Sequence, residues 1–62
     1  MSNFSKKDLE VLSAVLACES LACKKAKIYS KTLLNQTLAE SMEKIATHHE
    51  QRFKEILKMI EE

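Results

Sequence analysis

Few side chains in this sequence could do chemistry. His48 and His49 are the only histidines, and they lie together in the run ATHHEQRF, Ala46 to Phe53. Cys18 and Cys23 are the only cysteines, and Glu19 adjoins the first of them. Paired histidines raise the possibility of a metal site or a proton-transfer site, since imidazole binds zinc and iron and titrates near neutral pH. Spacing tests the idea. Neighbouring helix residues are about 100° apart around the axis, so only His49 enters an apolar stripe. His48 is expected at the stripe's edge or in solvent.

A carboxylate-bridged metal site in a helical bundle uses a Glu on one helix and Glu-x-x-His on the next, so that both residues of the motif face one ion. Here Ala46 stands three residues before His49, and Ile45 three before His48. Glu43 and Glu50 point away from His49 at helical spacing. One chain therefore offers Glu19 and His49 alone, and two chains would offer two of each. Iron or zinc held by Glu19 and His49 is the alternative reading; no metal, cofactor or catalytic residue is the first. The serines at 13, 20, 30 and 41 have no base at a helical offset. Cys18 and Cys23 are separated by about 7.5 Å of rise and about 140° of rotation, which does not suit an internal disulfide. Both are expected to be small buried apolar residues, with an intermolecular pair or a reactive thiol as the other uses.

The elements that must position these groups are helices. Among 62 residues there is no Gly and no Pro, so tight turns are scarce and long helices are favoured. Ser5 and Asp8 have the spacing of a capping box, with Phe4 and Leu9 at the positions of a hydrophobic staple. The first helix is predicted over about 6–34. Asn35 suits a C′ or N-cap residue, and Thr37 with Glu40 forms a second candidate box, which leaves the second N-cap open between Asn35 and Thr37. The turn covers about 35–37 and the second helix about 37–61. So short a turn predicts an antiparallel hairpin, one domain over 1–62.

The second helix has one apolar stripe: Leu38, Met42, Ile45, His49, Phe53, Ile56 and Ile60, widened by Ala46 and Leu57. The first has two. One is Leu9, Leu12, Leu16, Glu19, Cys23, Ala26 and Leu33, widened by Val15, Ala22 and Tyr29. The other is Val11, Ala14, Cys18, Leu21 and Ile28. A helix apolar over most of its circumference must be covered on more than one side. The second stripe is the expected self-association face of a homodimer, four helices in a bundle, or of a higher oligomer. Dimerisation also answers the size problem, since so short a chain has a marginal core.

Glu19 and His49 interrupt apolar stripes. Antiparallel pairing about Asn35 matches positions that sum to about 71 or 72, which leaves the two about one turn apart. The expected arrangement is a polar cluster of Glu19, His49, Arg52 and Tyr29 that fixes the register of the bundle. A formal charge of +1 makes no case for nucleic acid. No apolar run approaches the ~20 residues that cross a bilayer, and the N-terminus lacks the pattern of a signal peptide. A cytoplasmic location without membrane association is the expectation.

With the helices placed, FSKKDLEVLSAVLACESLACKKAKIYSKTL followed by LAESMEKIATHHEQRFKEILKMI resembles the short two-helix proteins related to the spore coat F family, in the ferritin-like group. The shared features are LxxLxxxLxxE ending at Glu19, Lys24-Lys25, Tyr29, Ile45-Ala46 followed by His49, and QRF. The family turn often carries Asp-Pro, where this chain has Asn-Gln-Thr. ACESLA, Ala17 to Ala22, is also similar to the first helix of rubrerythrin-like proteins, whose glutamate is a metal ligand. Only Glu19 and His49 match that pattern, because Ala46 replaces the bridging glutamate. The resemblance implies a ferritin-like four-helix arrangement, a non-enzymatic structural or interaction role in sporulation, and other coat proteins as partners at the spore coat. A third class, an adaptor that binds a partner's helix in an apolar groove, is distinguished by a groove left open in the dimer.

Overall fold

In the computed structural model, which describes residues 4–61, the chain is a two-helix hairpin with no strand among the described residues. Met1–Asn3 and Glu62, part of the expected domain, lie outside that range. Helix α1 spans Lys6–Thr32 and α2 spans Gln36–Glu61. They pack side by side along their length in a rod of 46 × 15 × 10 Å.

The start of α1 follows from local chemistry. The Asp8 amide donates to Ser5 Oγ at 3.1 Å, and the Ser5 amide donates to Asp8 Oδ2 at 3.3 Å. The expected capping box is therefore formed in both directions, which satisfies two amides that the first turn leaves free. Helix α1 ends at Thr32, two residues short of Leu34. Leu33 turns extended (φ −69°, ψ 133°) while its amide still donates to the Tyr29 carbonyl at 3.0 Å. No described residue has a positive φ, so the chain reverses without a left-handed residue.

Asn35 begins α2. Its Oδ1 accepts from the Leu38 amide at 3.0 Å, and its carbonyl accepts from the Ala39 amide at 2.9 Å. The second candidate box, Thr37 with Glu40, does not form. Asn35 caps two residues earlier, so Thr37 is already helical. The Thr37 carbonyl takes Ser41 Oγ at 3.0 Å, and Glu40 Oε1 takes Gln36 Nε2 at 3.1 Å.

The better-covered positions define the seam. On α1 they include Leu9, Leu12, Leu16, Glu19, Cys23, Ala26 and Ser30; on α2 they are Ala39, Met42, Ala46, His49, Phe53, Ile56 and Ile60. Both series alternate steps of three and four, the 3.5-residue repeat of a coiled coil rather than a free 3.6-residue helix. This corrects the expected stripe of α2. Leu38 and Ile45 are exposed at 54% and 39%, and the seam is taken by Ala39, which the stripe left out, and by Ala46, which had only widened it. A one-residue choice within the apolar band is settled by which rotation lets two helices approach, and small residues allow the closest approach. Cys23, Ala26 and Ala46 make up one buried cluster. Ala26 and Ala46 sum to 72, the register that pairing about Asn35 requires.

Candidate functional site: a glutamate–histidine bridge in the seam

The structure joins the two polar residues of the seam. His49 Nδ1 lies 2.6 Å from Glu19 Oε2, between residues 30 apart in the chain. An ionised carboxylate can only accept, so Nδ1–H is the donor in that pair. The side chains keep 22% and 17% of their exposure, respectively, so the bond is half-sheltered. The two residues are one turn off level, and the side chains cross that offset diagonally.

Arg52 and Tyr29, expected in the same cluster, stand outside this bond. Tyr29 is ten residues beyond Glu19, about 15 Å along the axis, and it is 52% exposed. Arg52 precedes the seam residue Phe53 by one position, about 100° round the helix, and is exposed. The four-residue cluster is thus a two-residue bridge. His48 is exposed, as its offset from His49 requires, and lines a shallow groove on α2 with Glu40, Glu43, Lys44 and Thr47.

Both thiols are free. Cys23 is buried, whereas Cys18 is exposed rather than buried as expected. Their angular offset makes the difference, because α1 can turn only one of them to the seam. Cys23 is level with His49 in the 72 register, but Nδ1 is already engaged by Glu19, which leaves that nitrogen no role as a base for the thiol.

The donor set can be tested against a metal. Zinc in a structural site takes four ligands, and catalytic zinc keeps three from the protein. No group of three His, Cys, Asp or Glu side chains suited to a metal comes together among the described residues. Glu19 Oε2 and His49 Nδ1 are moreover bonded to each other. In metal sites such a carboxylate orients a histidine whose other nitrogen binds the ion, so the bridge supplies one ligand where a ferritin-like centre needs several. The described residues of one chain alone do not gather the ligands a resident iron or zinc ion needs, and the expected metal alternative draws Glu19 and His49 from two chains.

The remaining seam positions set the bridge apart. Among the described residues every other charged side chain stands outside the seam, and Glu19 and His49 alone carry ionisable groups within it apart from the Cys23 thiol. The two residues are offset by about 6 Å along the axis, a distance their side chains span in the observed register. The bridge therefore forms in the register that the three-residue turn, 33–35, already imposes on the hairpin.

The side chains expected to serve self-association are exposed. Val11, Leu21 and Ile28 are 54%, 53% and 61% exposed, and Ala14 and Cys18 are exposed as well. Periodicity found these residues. It did not separate them from a second exposed apolar group that includes Val15, Tyr29, Leu38, Ile45 and Met59, because that group draws on both helices. No helix among the described residues is long and apolar enough to cross a membrane. No family model matches the chain, and no curated protein or solved structure matches it.

Proposed function

We propose that this chain is a non-enzymatic structural and interaction protein of spore-coat type, working as a homodimer in which two hairpins form a ferritin-like four-helix bundle. The observation that carries the dimer is the hairpin's core. Among the described residues only Cys23, Ala26 and Ala46 are buried, all small, while large apolar side chains from Phe4 to Met59 are exposed. The surface area supports it. A compact monomer of 7.1 kDa exposes about 4,100 Å² by the usual scaling, and this hairpin exposes 5056 Å². The surplus is comparable with the ~800 Å² that each partner gives to a standard interface. The Glu19–His49 bridge acts as a polar tie between the helices in this reading and needs no substrate.

The spore-coat assignment rests on the resemblance of the helix sequences. Sedimentation at micromolar concentration tests the assembly: a dimer is expected, and a folded, monodisperse monomer overturns it. Fractionation of the producing cells tests the location. Protein found only outside the spore fraction removes the coat assignment and leaves the bundle intact.

A further inference from the structure

The two broad sides of the hairpin differ. One is polar at its rim: Ser20, Lys24, Lys27 and Glu50 line one groove there together with the seam residues Cys23 and Phe53, Lys27, Lys31, Glu43 and Glu50 line the next, and Leu57 is its apolar exception. A step of two residues on a helix is about 200°, so the residue two beyond each one that flanks the seam on this side emerges on the opposite broad side. Beyond Ser13, Ser20 and Lys27 come Val15, Ala22 and Tyr29; beyond Gln36, Glu43 and Leu57 come Leu38, Ile45 and Met59. The opposite side is therefore apolar on both helices. Its two charged exceptions are Asp8, two beyond Lys6, and Arg52, two beyond Glu50.

Resting on the self-association reading above, we infer that this two-helix side, built on Val15, Ala22, Tyr29, Leu38, Ile45 and Met59, is the dimer interface and that its occupant is a second copy of the same side. Two observations favour that occupant over the outer face of α1. A bundle helix needs its seam positions plus one flanking position apolar, and here the same flank is apolar on both helices, so the core of the hairpin continues into the interface. Five of these residues are large enough to interlock, and Val15, Tyr29, Leu38, Ile45 and Met59 are between 37% and 54% exposed in the lone hairpin. A self-matching side also suits a two-fold axis, which presents the same patch from each chain. The bridge lies on the floor of this side, since Val15 precedes Glu19 by four residues and Ile45 precedes His49 by four, the spacing of same-face neighbours. A second copy would close over it and exclude water. Leu21 and Ile28, on the back of α1, would stay outside.

The test compares Ile45→Glu with Leu21→Glu by sedimentation, with helicity followed by circular dichroism. An unpaired carboxylate in the interface is costly, so Ile45→Glu is expected to raise the dimer dissociation constant by at least about tenfold, a loss of about 1.4 kcal/mol. Leu21→Glu is expected to leave it within about twofold. A wild-type chain that remains a folded monomer overturns both this inference and the reading beneath it. A wild-type dimer that Leu21→Glu dissociates and Ile45→Glu does not overturns the interface alone. The unmodified chain gives an independent readout, because Tyr29 is its single tyrosine and it has no tryptophan. Iodide quenching of Tyr29 fluorescence should weaken as concentration drives association. Quenching that stays constant through the monomer–dimer transition overturns the proposed side even if Ile45→Glu fails to fold.

Discussion

Replacing Glu19 and His49 singly and together measures what the bridge contributes. Glu19→Leu leaves the Nδ1–H of His49 without its acceptor, and His49→Leu leaves a half-sheltered carboxylate without its donor. The loss of one partner of a hydrogen bond costs about 1–3 kcal/mol when the remaining group is buried. Water still reaches both groups, at 22% and 17% side-chain exposure, so the lower half, about 1–2 kcal/mol, applies to each single variant. At about 4–8 °C per kcal/mol for a chain of this size, each should melt roughly 4–16 °C lower. The double variant should not add these losses. Two leucines fill an apolar seam and leave no orphaned group, so it should be at least as stable as either single variant. The assay is urea unfolding followed by circular dichroism at one fixed protein concentration, since association contributes to apparent stability. Additive losses, with a coupling below about 0.5 kcal/mol, would refute the bridge as an energetic unit.

Three other perturbations follow from the geometry. Asn35→Ala removes the acceptor of the Leu38 amide and should cost about 1 kcal/mol in unfolding free energy, while Thr37→Val should cost less than half of that, because Thr37 does not cap. Ala46→Leu forces extra volume into the buried cluster with Cys23 and Ala26 and should destabilise by about 1–3 kcal/mol in the same unfolding assay; an unchanged midpoint would show that the helices are not in close approach there. Adding Zn²⁺ or Fe²⁺ to tag-free protein should leave the melting temperature within about 1 °C, since a ligand that binds the folded state at a hundred times its dissociation constant would add about 2.7 kcal/mol. A metal-dependent rise of several degrees would overturn the donor-set argument.

The sequence by itself determined the helices. A chain without Gly or Pro, a capping box at Ser5 and Asp8, and one Asn between two long apolar repeats leave little besides a hairpin. These are local properties, fixed by backbone freedom and by hydrogen bonds within four residues. The sequence also singled out Glu19 and His49, because a polar residue in an apolar stripe has to find a partner. The tertiary structure decided what depends on helix rotation and axial offset. Leu38 and Ile45 satisfy the period as well as Ala39 and Ala46 do, and only the approach of α1 distinguishes them, because closely packed helices turn their small residues inward. Register likewise decided that His49 is the residue bonded to Glu19 and that Arg52 and Tyr29 stand apart. Cys18 and Cys23 are chemically alike in the sequence, and one is buried only because α1 has a single side to give to α2. The polar and apolar broad sides exist only once the two helices lie together, since each draws half its residues from either helix.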